Sequence, residues 1–121
     1  MSELESAIST RLEQFPKGKI LAIGGVAEWE NQGHALPGGG EISFLAFHDV
    51  TLGALEFHKP AAIYSPVLAR HFDCIELAVL LDELNFKGTY RAVGTGLPRP
   101  ELIEREVRQL LKTLKFEIVQ I

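Results

Sequence analysis

Five short, strongly apolar runs, KILAI at 19–23, ISFLAFH at 42–48, AAIYS at 61–65, TYRAV at 89–93 and FEIVQI at 116–121, limit what this chain can fold into. ISFLAFH is apolar at both parities, as expected of a strand covered on both faces. The segments between the later runs carry helix signals. Strands alternating with helices in this way predict a mostly parallel sheet in a layered α/β domain.

Ser2 with Glu5 forms a capping box, and Leu4, Ile8, Leu12 and Phe15 make one apolar stripe, so a helix is expected from Ser2 to Phe15, ended by Pro16 and Gly18. Asp49 or Thr51 can cap a short helix through Phe57. Asp73 with Glu76 is a second capping box, and Leu77, Ala78, Leu81 and Leu84 supply a stripe that stops at Gly88. Pro100 suits the first turn of a last helix with Ile103, Val107, Leu110, Leu111 and Leu114 facing inward, and Glu101–Arg105 and Glu104–Arg108 as favourable outer pairs. Val26 to Glu41 has no steady period and contains Pro37 and Gly38 to Gly40, which predicts a long loop in place of the first crossover helix. The expected N-terminal helix then either covers the vacant face of the sheet or leaves it as an interface with another chain.

The 121 residues, 46% of them hydrophobic, suffice for one domain over residues 1–121 and not for two. A net charge of −4 with dispersed Lys and Arg argues against a nucleic-acid or anionic-membrane surface. One cysteine excludes an internal disulfide and suits a reducing compartment. MSELESAISTRLEQF lacks the pattern of a signal peptide, and no run approaches a membrane span, so a cytoplasmic chain is expected.

The stretch KPAAIYSPVLARHFDCIEL, Lys59 to Leu77, resembles the centre of response-regulator receiver domains. In that family a Lys-Pro pair leads into a buried strand ending in the aspartate that takes the phosphoryl group, and an Asp-Gly-x-Glu helix start follows. Aligned without a gap from Pro60 to Asp73, the resemblance puts Pro66 at the phosphoacceptor position and Cys74 at the glycine. The family's magnesium-holding acidic pair would fall near Gly24 and Gly25, Thr95 matches the threonine after the fourth strand, and the lysine after the fifth strand has no counterpart. The resemblance covers roughly residues 42–121 and implies a receiver or flavodoxin-like order of five strands in three layers, without phosphotransfer. The pattern FDCxELAxxL…GxYRA…LPxPxLIxxEV is also similar to uncharacterised alphaproteobacterial proteins, which imply no activity.

Cys74 is the sharpest chemical alternative. At the start of a helix its thiol pKa would be lowered by the dipole, with His71 near enough to assist a nucleophile or redox sensor; the competing reading is a packed, inert thiol. His34, His48, Asp49, His58, His71, Asp73 and Cys74 are metal-ligand types, but without HxxxH, HExxH or CxxC spacing. Gly38 to Gly40 precedes a strand instead of following one, which argues against a phosphate loop. Trp29 would stack on a ligand or, more in keeping with its size, pin the long loop to the body. Open α/β sheets bind ligands at their carboxyl edge. The residues expected there are Gly24, Gly25, Pro66, His71, Asp73, Gly94, Thr95 and Arg99. Asp73 has the simpler role of a cap, Arg99 that of a solvated side chain, and Thr95 with Gly96 would suit a small anion.

These readings predict a non-catalytic receiver-like signalling or interaction domain without a cofactor or metal. Its expected partner is another protein or a second copy through residues 89–121. The alternative is a small enzyme or ligand-binding protein using the carboxyl-edge crevice with Cys74 and His71.

Overall fold

The computed structural model describes residues 19–24, 29 and 42–120. It contains strands β1 (Ile20–Ile23), β2 (Ile42–Leu45), β3 (Ala62–Pro66), β4 (Thr89–Gly94) and β5 (Lys115–Gln120). Its helices are α1 (Leu52–His58), α2 (Cys74–Glu83) and α3 (Pro100–Gln109). All neighbouring strands pair in parallel, in the order β2-β1-β3-β4-β5. This is the flavodoxin-like order, with the reversal of winding between β1 and β3. The expected helix Ser2–Phe15 and the segment Val26–Glu41 lie outside the described residues, apart from Trp29.

Period-two alternation sorts the strand side chains onto two buried faces. Leu21, Ile23, Ile63, Tyr90, Ala92, Phe116 and Ile118 pack with Leu55 of α1, Leu77, Ala78 and Leu81 of α2, and Val107 of α3. Helices α1, α2 and α3 therefore cover the same face. Ile20, Ala22, Ala62, Tyr64, Val93 and Val119 point to the opposite face, where the buried Trp29 joins them. Pro66 is tolerated at the end of β3 because of direction. The Val67 N–H reaches Val93 on the β4 side, so Pro66 turns its nitrogen toward β1, whose pairing with β3 has ended at Tyr64.

Local signals account for the helix starts. The Thr51 Oγ1 accepts the Ala54 N–H at 3.1 Å, and the Asp73 Oδ1 accepts the Glu76 N–H at 2.9 Å. Pro100 is the first residue of α3. Of the two outer pairs expected on α3, Arg108–Glu104 forms at 2.8 Å.

Two expectations are corrected by tertiary contacts. The run 42–48 leaves the sheet after Leu45, and Phe47–Asp49 form a 3-10 turn. Phe47 gives up strand geometry for a stacked contact with Phe72, at 4.9 Å between ring centroids. Leu110, expected to face inward, is exposed, since α3 stops at Gln109 and the helical period that would turn it inward is lost, while Leu111 and Leu114 reach the core from the turn that follows.

Asp82 explains how the chain turns from α3 into β5. A carboxylate in the last turn of a helix opposes the helix dipole, and α2 has no basic residue there to offset it. Its partners come from elsewhere: Asp82 accepts the backbone N–H groups of Lys112, Thr113 and Leu114, each at 3.0 Å. Those bonds, with that from Thr113 first among them, hold the carboxyl below its ordinary value near 3.8. Folding thus favours the ionised form, so the contribution is complete above the unfolded pKa and is lost as pH falls through the lower folded value. Asp82→Asn is expected to flatten the acid limb of stability below about pH 4. Urea midpoints measured down that limb would refute this if wild type and variant fell in parallel.

The outer edge of β5 is occupied as well. The Arg108 Nε donates to the Phe116 carbonyl at 3.0 Å, and the Glu104 Oε2 accepts the Ile118 N–H at 2.9 Å. These bonds use edge groups that would otherwise be free to template another strand.

Candidate functional site at the carboxyl edge

The strand ends converge on a cleft of about 250 Å3 lined by Gly24, Ala46 to His48, and Ala69 to Phe72. Gly24 ends β1 with φ 103°, a left-handed conformation that glycine adopts without steric cost, and its N–H donates to the Leu45 carbonyl at 2.9 Å. Residues 68–73 double back on themselves through a Leu68–Asp73 bridge and an Ala69 N–H bond to the Phe72 carbonyl at 2.9 Å. Arg70 and His71 form the exposed tip of this loop. The stacked Phe47 and Phe72 are the cleft's aromatic wall. Two imidazoles, a guanidinium and an apolar wall would suit a small anion that carries an apolar part.

Of the residues expected at this edge, Gly24 and His71 share the cleft, while Pro66, Asp73, Thr95 and Arg99 do not line it and Gly25 lies outside the described residues. Pro66 is buried. Beside it the end of β4 is closed tightly: a β-carbon on Gly94 would stand 2.6 Å from the Leu97 Cδ1 and 3.0 Å from the Val67 Cγ2. Asp73 caps α2, the Arg99 carbonyl accepts the Leu102 N–H at the start of α3, and Thr95 is exposed in the loop between β4 and α3.

Cys74 occupies the expected first position of α2, but its thiol does not have the lowered pKa expected there. Burial, followed by the neighbouring Asp73 carboxylate, pushes the thiol up from 9.0 to about 11, against the smaller opposing effect of a backbone hydrogen bond. At pH 7 this leaves about 100-fold less thiolate than an ordinary cysteine has. Cys74 does not line the cleft that contains His71. Alkylation by iodoacetamide is expected to be slow in the folded chain and to accelerate on unfolding in urea. A folded-state rate above that of free cysteine at pH 7 would restore the thiol chemistry.

Two polar clusters were missed by sequence reasoning. Under Pro66, on the helix-covered face, the buried Tyr90 hydroxyl bonds to the Ser65 hydroxyl, which in turn donates to the Pro66 carbonyl at 2.9 Å. Burial first of all raises the Tyr90 pKa well above 10, so the phenol stays protonated and serves as a donor. On the other face Arg91, only 3% exposed, donates from Nε to the Glu117 Oε1 at 2.8 Å and from Nη1 to the Tyr64 hydroxyl at 3.1 Å. The available signal was a charged residue inside the apolar run TYRAV, with a glutamate in the next strand run; Arg91 and Glu117 are direct partners in the β4–β5 register.

Among the described residues, no three His, Cys, Asp or Glu side chains gather in a group that would hold a metal ion, and no helix is long and apolar enough to cross a membrane. No family model and no curated protein matches the chain.

Proposed function

We propose that this chain is a non-catalytic, receiver-like domain of the cytoplasm that works in signalling by binding another protein. The observation that carries the reading is Pro66 at the carboxyl end of β3, the central strand of a 2-1-3-4-5 parallel sheet. Proline has no side-chain oxygen to accept a phosphoryl group. Gly24, at the end of β1, likewise presents no carboxylate where the receiver resemblance would require one. What remains among the described residues is a scaffold of one parallel sheet with three helices on one face.

Self-association through residues 89–121 is the form of binding the resemblance suggests. The bonds from Glu104 and Arg108 to the β5 edge favour side-chain contacts of α3 and β5 over addition of a strand. The reading is tested by incubating the protein with labelled acetyl phosphate and magnesium. No incorporation is expected; label held at an acyl-phosphate bond would overturn it.

A second reading rests on the cleft beside Gly24. Its imidazole, guanidinium and aromatic lining supports a binding protein for a small anion, with His71 as a contact residue and without a thiol step at Cys74. Native mass spectrometry of the gently purified chain separates the readings: a reproducible added mass favours the cleft, while a bare dimer favours interaction.

A further inference from the structure

Helix α2, CIELAVLLDE, carries more apolar side chains than the described residues bury fully. Cys74, Leu77, Ala78 and Leu81 are buried against the sheet. Ile75 remains 42% exposed and Val79 is half-buried, while Leu80 is half-buried with part of its surface packed against the core. A surface helix normally keeps its apolar side chains within the stripe that faces the core, so apolar side chains left at the surface beside that stripe offer area that a partner can cover. Together with Phe47 and Val50 from the 3-10 turn and its flank, these side chains form an open groove of about 620 Å3.

The groove is acidic at its margins. Glu76 and Glu83 line it one heptad apart on α2, a separation of about 10 Å along the helix axis. His48 also lines it, and its Nε2 lies 3.7 Å from the Asp49 carboxylate. An apolar floor between carboxylates spaced by a heptad is complementary to one kind of occupant. An amphipathic helix can lay apolar residues at i, i+3, i+4 and i+7 into such a groove while its Lys or Arg side chains meet the two glutamates. An anionic lipid surface would be repelled by the same carboxylates. A second copy of α3 is a poor match, because its buried Val107 faces its own sheet and its exposed positions include Glu101 and Glu106.

The geometry points to the groove between α2 and the Phe47–Asp49 turn as the docking site for a basic amphipathic helix of another protein. This inference rests on the interaction-domain reading and specifies where and what such a domain would bind. The groove lies outside residues 89–121, so association of the chain with itself and capture of a helical partner use different surfaces.

The test uses a labelled amphipathic Leu/Lys peptide about five helical turns long and its Leu/Glu counterpart, with binding to the intact chain followed by fluorescence anisotropy. The Leu/Lys peptide is expected to bind and the Leu/Glu peptide not to bind. Glu83→Lys is expected to weaken binding at least tenfold, and it suits the fold because a cation near a helix carboxyl end is favourable. Ile75→Ser, at an exposed position, is expected to weaken binding independently of charge. Charge reversal of Glu101 and Glu106 on α3 is the control and is expected to leave affinity unchanged. Equal weakening by the control would reduce the effect to net charge and overturn the proposal. So would undiminished affinity in Glu83→Lys and Ile75→Ser, or equal binding of the Leu/Glu peptide. The broader interaction reading is judged separately by acetyl phosphate labelling and by the size of the purified chain, neither of which depends on Ile75 or Glu83.

Discussion

Replacing Trp29 with alanine is expected to remove about 3–5 kcal/mol of folding stability, a large share of the roughly 5–15 kcal/mol that holds a domain together. Trp29 is 0% exposed and joins Ile20, Ala22, Ala62, Tyr64, Val93 and Val119 on the sheet face away from the three helices. Two members of that group are alanines with little bulk of their own, so the indole supplies much of the volume. Its loss would combine the lost transfer of a large aromatic surface with a cavity that a rigid parallel sheet cannot collapse to fill. Trp29→Phe should lose less. Because this is the chain's one tryptophan, wild-type emission should be blue-shifted and shielded from acrylamide, and the variant's unfolding must be followed by circular dichroism in urea. A loss under about 1 kcal/mol would show that the indole does not anchor that face.

Arg91→Met is expected to cost about 3 kcal/mol. The substitution fills similar space but removes the donors to Glu117 and to the Tyr64 hydroxyl, together with the guanidinium that lies 6.0 Å from the Tyr64 ring centroid. The Glu117 side chain is 30% exposed and recovers some solvation, which keeps the cost at the low end of the range for broken buried pairs. Replacing both partners, Arg91→Met with Glu117→Leu, is expected to restore most of the stability, since the desolvation of both charges is then avoided. A double-mutant cycle in urea measures the coupling. The prediction fails if the double variant is no more stable than Arg91→Met alone. The pair also specifies register, because a one-residue slip of β5 against β4 would send Glu117 to the other face.

The contrast between Trp29 and Cys74 shows where sequence reasoning was sound and where it stopped. A tryptophan has one dominant physical requirement, removal of its surface from water, and its burial could be expected from the sequence. A cysteine at a helix start responds to opposing influences. The dipole was visible in the sequence, but the depth of burial that outweighs it was not. At the carboxyl edge, Gly24 and His71 of the residues expected there line one cleft. The aromatic wall that gives the cleft its shape depends on Phe47 leaving its strand to meet Phe72, a contact between segments far apart in the chain.

Caps, helix periods and strand runs were determined by the sequence itself, because they depend on neighbours within one turn or on alternation along one strand. Thr51, Asp73 and Pro100 start their helices for reasons complete within a few residues. The apolar runs and the helix signals between them likewise implied a parallel α/β sheet before any pairing was known. Only the tertiary structure decided which polar groups find each other. Asp82, unfavourable within its own helix, is satisfied by N–H groups some thirty residues away; Arg91 is matched across two strands; and α2 leaves Ile75 at the surface. Local preference depends on the identity of nearby residues, whereas burial and hydrogen-bond partnership depend on which distant segments come together, and that follows only when the whole sheet is assembled.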